Sequence, residues 1–193
     1  VTKVDPVLNN NDKCFNVFTS SVTIKCKDVL MATNGYSRSE LSKYLSRRIV
    51  PIPSYILTTE DIGINKVRSL LPGGHCMVET RKRYCYYRAT PCGRRIMIGT
   101  RAAMHSISAE AALPIVRKML TEIFPSLADV GISHCWTGFT GFSFSKLPSL
   151  NYYNGIYSAM GYCGNGVAMA PYLGNRAALK ILNPENRVTV FEE

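Results

Sequence analysis

The segment Gly155–Gly174, GIYSAMGYCGNGVAMAPYLG, changes character twice over its length. Ile156–Ala159 is a short apolar run and is predicted to be a strand. The run breaks at Gly161, gathers two more glycines at Gly164 and Gly166, and continues as an apolar, alanine-rich stretch predicted to be helical through about Leu182. A strand that turns through glycines into a helix collects unpaired backbone N–H groups and the positive end of the helix dipole at one point. Glycine supplies the unusual φ angles of such a turn and has no Cβ to keep a ligand off the main chain. The segment therefore suits a flat or anionic group resting directly on backbone. A plain strand–turn–helix, with glycine serving only the turn, satisfies the same spacing.

Outward from this segment, Val29–Ala32 is a continuous apolar run, as expected of a strand buried on both faces of a parallel sheet. It ends in Thr33-Asn34-Gly35, a turn at the carboxyl edge where open α/β sheets bind ligands. Before it, Cys14–Thr19 and Val22–Cys26 read as a hairpin about Ser20-Ser21. After it, Ser37 or Ser39 is expected to cap a helix through about Leu45. From Val50 the character changes to meandering strands, Val50–Thr59, Cys76–Thr80, Tyr84–Thr90 and Arg94–Thr100, punctuated by Pro72-Gly73-Gly74 and Pro91-Cys92-Gly93. These predict an antiparallel sheet separate from the parallel one. A helix follows with Ala112, Val116, Met119 and Ile123 on one face; Ser108 is a candidate cap, and Pro114 argues for a start nearer Leu113. Ile132–Thr137 is predicted as a strand and Gly138–Pro148 as a loop.

Gly161-Tyr162-Cys163-Gly164-Asn165-Gly166-Val167-Ala168-Met169-Ala170-Pro171 resembles the C-terminal flavin motif G-x-x-G-[HN]-G-x-x-x-A-P of the FAD-dependent amine and amino-acid oxidases, the family of D-amino-acid oxidase, glycine oxidase and sarcosine oxidase. Ala32-Thr33-Asn34-Gly35-Tyr36 resembles the A-T-[GN]-x-[YW] turn after a Rossmann strand. Trp136-Thr137-Gly138 followed by Leu147-Pro148 resembles the W-x-G…P segment before the flavin strand. The γ-glutamylputrescine oxidase type is the subgroup most similar. The resemblance implies a mixed α/β, α+β fold: a partial Rossmann-like FAD-binding domain formed by 1–45 and 146–193, and an antiparallel-sheet substrate domain over 46–145.

The same resemblance implies FAD contacts from Ala32, Thr33, Gly35, Trp136, Gly138, Gly161, Tyr162, Cys163, Gly164, Asn165, Gly166, Val167 and Ala168. It implies hydride transfer from a C–H beside nitrogen to the cofactor, with O₂ as acceptor and no titratable catalytic residue assigned. Tyr86, Arg88 and Arg101 are candidate substrate contacts on the antiparallel sheet. Members that take amino acids often carry an arginine after W-x-G to clamp the carboxylate. Here Phe139-Thr140-Gly141-Phe142 follows, which favours an amine substrate. The N-terminal G-x-G-x-x-G of the family is absent, and Gly161-x-x-Gly164-x-Gly166 has the wrong spacing and position to replace it. The chain thus resembles the C-terminal half of such an oxidase. Its expected partner is the missing N-terminal half, and its own hold on FAD is expected to be weak or absent.

Composition sets the remaining bounds. The 193 residues carry a net charge of +10 and are 46% hydrophobic, enough for a core. No run approaches a membrane span, and VTKVDPVLNNND has no signal-peptide core. The chain lacks an initiating Met and is expected to start inside a longer protein. Seven cysteines without a C-x-x-C pair argue against a disulfide framework or a structural zinc site and for the cytoplasm, and no metal is expected. The basic excess lies almost wholly between Arg38 and Arg101. It admits a nucleic-acid or protein-binding module as the alternative, but a solvated face, or one that meets acidic residues of the missing half, is the preferred reading.

Overall fold

The chain divides after Pro51 and again after Phe139: Val1–Pro51 with Thr140–Glu193 form one unit, and Ile52–Phe139 the other. The sequence places these divisions at 45/46 and 145/146. The computed structural model describes residues 1–9, 12–81, 84–101 and 105–192.

The first unit opens with β1 (Lys3–Asn9), β2 (Asp12–Phe18) and β3 (Thr23–Cys26), an antiparallel meander in that order. The predicted hairpin is the β2–β3 pair. Its turn is held by Thr19, whose Oγ1 accepts from the Val22 amide at 2.9 Å. β1 was not apparent from the sequence because Pro6 interrupts it; proline donates nothing to a ladder, and it is tolerated here on an edge strand, opposite Phe15. β4 (Leu30–Met31) leads into a 3₁₀ turn, Asn34–Tyr36, and then α1 (Lys43–Ser46). α1 is shorter than predicted. Ser37 does not cap it, because its Oγ donates to the Asn34 carbonyl at 2.8 Å; Ser42 is the cap, accepting from the Leu45 amide at 3.3 Å.

β5 (Ile49–Thr59) carries the chain into the second unit, where α2 (Ile64–Leu70), β6 (Met77–Val78), β7 (Cys85–Ala89), β8 (Ile96–Thr100), α3 (Ala109–Ile123) and β9 (Ile132–Ser143) follow. The strands form one five-stranded sheet, β6-β7-β8-β5-β9, with β5, β7 and β8 mutually antiparallel where they pair. Period-2 alternation turns Tyr55, Leu57, Cys85, Ile96 and Ile98 to one face. There they pack with Ala112, Val116, Met119 and Leu120 of α3 and Val67 of α2. Each large side chain buried this way contributes about 1.5–3 kcal/mol. Tyr55 also pins the approach to α3, its hydroxyl accepting from the Ile107 amide at 2.8 Å and donating to the Ile107 carbonyl at 3.1 Å. α3 starts at the Ser108 cap rather than near Leu113, with Pro114 inside it as its sixth residue and unable to donate to the ladder. Residues 138–143, predicted as part of a loop, continue β9.

β9 returns the chain to the first unit, where β10 (Ser149–Tyr153), β11 (Ile156–Met160) and α4 (Gly166–Leu182) complete it. β10 and β11 form an antiparallel hairpin closed by Asn154-Gly155, both with positive φ (52° and 82°), the signature of a two-residue type I′ turn. β11 pairs in parallel with β4. Because β4 ends this three-stranded sheet, Met31 is buried but Leu30 is 39% exposed, which corrects the expectation of burial on both faces. α4 covers the hairpin through Leu150, Ala159, Tyr162, Leu173 and Ala177. The C-terminal residues pack on the same cluster: the Leu150 amide donates to the Phe191 carbonyl at 2.8 Å, and Lys180 pairs with Glu192 at 3.1 Å. Among the described residues, no helix is long and apolar enough to cross a membrane.

Candidate functional site

The turn between β11 and α4 holds three residues in the left-handed region, Gly161 (φ 83°), Cys163 (51°) and Gly164 (99°). Two other segments of the first unit fasten it. The Gly161 amide donates to Asn34 Oδ1 at 3.0 Å, and the Cys163 amide donates to the Gly141 carbonyl at 3.0 Å. Phe142 and Tyr162 form a bridge beside them. The approach is close enough to require glycine at 141. A Cβ there would lie 2.8 Å from the Gly35 amide nitrogen and closer still to the Asn34 carboxamide. Asn34 is itself left-handed (φ 42°) and begins the 3₁₀ turn, which the Thr33 and Ser37 hydroxyls close at 2.8 Å. Ala32, Thr33 and Gly35 are thus brought to the glycine turn, through Asn34.

Beyond the turn, α4 starts without a side-chain cap. Asn165 occupies the cap position, and its amide donates to the Tyr162 carbonyl at 2.9 Å. The amides of Gly164, Gly166 and Val167 have no acceptor among the described residues, and the first turn holds no acidic side chain. A Cβ on Gly164 would meet nothing within 4 Å, and Val167 is 96% exposed. Open main-chain donors at a helix N-terminus favour an acceptor-rich or anionic edge. The other residues of the motif are placed differently. Tyr162 turns its ring into the core and donates to the Ala159 carbonyl at 3.1 Å, and burial pushes its phenol pKa up. Gly166 faces that ring, so a Cβ there would touch Tyr162 at 3.6 Å rather than enter open space. Cys163 Sγ lies 3.2 Å from the Gly161 carbonyl. Ala168 is exposed.

Tyr86, Arg88 and Arg101 belong to the second unit. Tyr86 and Arg88 alternate on β7 to the face opposite α3. Arg101, just past β8, has its guanidinium 5.6 Å from the Tyr84 ring on that face. Tyr86 is fixed there: its ring lies across Gly99, where no Cβ would fit, and its hydroxyl bonds Ser54 Oγ at 2.5 Å. Burial raises its phenol pKa. Arg88 is exposed, and its Nε donates to the Ala89 carbonyl at 3.0 Å. Trp136, 41% exposed, and Gly138 lie on β9 in this same unit. Part of the basic stripe is paired internally: Arg81 bonds Glu79 and Glu122, and Arg94 bonds Asp61, whose carboxyl that bond holds below its ordinary pKa.

Sequence reasoning missed Asn34, Gly141, Gly99 and Ser54 as parts of these arrangements. Asn34 and Gly141 stand inside motifs already read, but their roles depend on a contact between distant segments, which spacing does not encode.

Residues 1–179 match the family described as FAD dependent oxidoreductase. A probable oxidoreductase OrdL of Haemophilus influenzae is 29% identical over 193 aligned positions, covering 98% of this chain and 43% of that protein. The γ-glutamylputrescine oxidoreductase of Escherichia coli is 27% identical over 176 positions, 91% of this chain and 41% of that one. Two solved structures share the fold: the glycine oxidase of Bacillus cereus (TM-score 0.68, 18% identity, 97% of this chain and 51% of that one) and the fructosyl amine:oxygen oxidoreductase of Aspergillus fumigatus (0.73, 14%, 100% and 48%). The chain spans less than half the length of the curated relatives it matches. A family match over nearly all of its residues, carried on this fold, means that the chain belongs to the FAD-dependent oxidoreductase family.

Proposed function

We propose that this chain is the C-terminal portion of an enzyme that oxidises the C–N bond of a small amine, with FAD as cofactor and O₂ as acceptor. The observation that carries the reading is the open backbone at Gly164–Val167, where three amides without acceptors among the described residues meet a glycine whose added Cβ would touch nothing within 4 Å. That donor set fits the carbonyl-rich pyrimidine edge of a flavin, and the absence of a Cβ at Gly164 leaves room for a flat ring. When bound, FAD supplies the two-electron chemistry. The amides and the dipole of α4 hold that edge and favour negative charge there. The Asn34–Gly141 contact keeps the turn in register, and Ala32, Thr33 and Gly35 form the neighbouring wall.

On the second unit, the sheet face opposite α3 that bears Tyr86, Arg88 and Arg101 is the proposed substrate surface. Tyr86 offers a fixed hydroxyl and ring edge, and the arginines offer positive charge. Trp136 and Gly138 are proposed as further cofactor contacts. The missing N-terminal half is the proposed partner, and it supplies the pyrophosphate contacts that these residues lack, so this chain alone holds FAD weakly or not at all. A cytoplasmic location belongs to the same reading. Expression of the full-length polypeptide carrying these residues tests it: a visible flavin absorption band, FAD on extraction and peroxide release with an amine are expected. A colourless protein without extractable FAD overturns it.

A further inference from the structure

We propose that Asn34 is a positioning residue for the cofactor, an inference that rests on the FAD reading above. Its carboxamide oxygen, by holding the Gly161 amide, fixes the left-handed turn that leaves the first amides of α4 open.

The turn needs a hold of this kind. Left-handed backbone at a non-glycine residue such as Cys163 is unfavourable and persists only when its surroundings impose it. The Gly141 carbonyl and the Ser143 hydroxyl, 3.7 Å from the Cys163 thiol, hold the turn at Cys163, and the Asn34 carboxamide holds it at Gly161. Asn34 stands on a stiff base. The Tyr36 amide donates to the Thr33 carbonyl at 2.8 Å, while the Ser37 amide and hydroxyl both donate to the Asn34 carbonyl, at 3.2 and 2.8 Å. Asparagine suits the place because it tolerates positive φ and carries an acceptor on a short stem. Gly141 completes the arrangement by lacking the Cβ that would drive the carboxamide away. The carboxamide thus acts on the cofactor through Gly161 and the turn, with no contact of its own required.

Asn34→Gly removes the carboxamide but accepts the backbone angle, whereas Asn34→Asp retains an acceptor at the same reach. In the full-length polypeptide stripped of FAD, amide hydrogen exchange at Gly161 is expected to quicken on the order of tenfold in Asn34→Gly and to hold in Asn34→Asp. In the full-length polypeptide, Asn34→Gly is expected to raise the Kd for FAD about tenfold. It is also expected to lower the two-electron potential by about 30 mV, the equivalent of a further tenfold, with Asn34→Asp near wild type in both. Unchanged exchange at Gly161, or faster exchange with wild-type Kd and potential, overturns the positioning role and leaves the FAD reading intact. A wild-type protein that binds no FAD removes both.

Discussion

Gly141 and Gly174 are both exchangeable for alanine on paper, and the structure assigns the two exchanges opposite signs. At Gly141 an added Cβ meets the Gly35 main-chain nitrogen at 2.8 Å and overlaps the Asn34 carboxamide. Backbone on both sides leaves no cheap relaxation, so either β9 moves off the 3₁₀ turn or Asn34 releases Gly161. Overpacking of this kind costs about 1–3 kcal/mol, and the lost hydrogen bond about 1 kcal/mol more. The restriction of the unfolded chain returns about 0.4–1 kcal/mol, so a net loss of about 2 kcal/mol is expected. Gly174 lies exposed inside α4, with nothing within 4 Å of the added Cβ. There alanine is expected to stabilise by about 0.5–1 kcal/mol. Urea titration followed by circular dichroism reads both. With a slope of about 2 kcal/mol/M, the midpoint falls by about 1 M for Gly141→Ala and rises by a few tenths for Gly174→Ala. An unchanged midpoint for Gly141→Ala, or an equal fall in both variants, would refute the contact argument.

The other predictions are briefer. Gly99→Ala is expected to push the Tyr86 ring off β8 and break its bond to Ser54, costing about 1–3 kcal/mol in the same titration and raising KM for the amine in the full-length enzyme. Burial acts to raise the Glu192 carboxyl, but the Val188 amide and Lys180 outweigh it and hold its pKa below the ordinary value. A group lowered on folding stabilises above its unfolded pKa and loses that contribution as pH falls through the folded one. The stability gap between wild type and Glu192→Gln, measured by urea at several pH values, is therefore expected to be present near neutrality and to close in acid. With no arginine after Trp136-Thr137-Gly138, the full-length enzyme is expected to release peroxide faster from amines than from free α-amino acids, since a carboxylate without a cation is costly to bury. Rapid turnover of D-amino acids that is lost in Arg88→Ala or Arg101→Ala would contradict this and place the clamp on the sheet.

Much of the fold could be read because local signals agreed with the final arrangement. Thr90-Pro91-Cys92-Gly93 announces the β7–β8 hairpin, and the Ser108 cap and apolar spacing announce α3. Asn154-Gly155 carries an equally strong signal for the β10–β11 hairpin. The second half of β9, residues 138–143, was hidden for a different reason. Gly138 and Gly141 weaken strand propensity, and the reason for glycine at 141 lies at Asn34, far away in sequence. β1 was masked by Pro6, which only the edge position excuses. The glycine turn of the candidate site was legible because unusual φ angles leave a compositional trace. Its fastening was not, since a single carboxamide reaching another segment leaves none. Sheet position likewise decided that Leu30 is exposed, although the run Val29–Ala32 that contains it reads as buried on both faces.

β5 and β9, which carry the chain out of the first unit and back, are neighbours in the five-stranded sheet. The whole of Ile52–Phe139 is therefore a loop whose two ends its own folding ties together. For a chain of that length, bringing free ends together costs roughly 4 kcal/mol of entropy. The inserted unit can form from its own sheet and α3 before residues 140–193 are needed, and in doing so it delivers Thr140 close to where Pro51 left off. During synthesis the discontinuous unit then waits on the continuous one. A lesion in the Tyr55–Leu120 core, remote in sequence from the glycine turn, would delay assembly of that turn as well as unfold its own sheet.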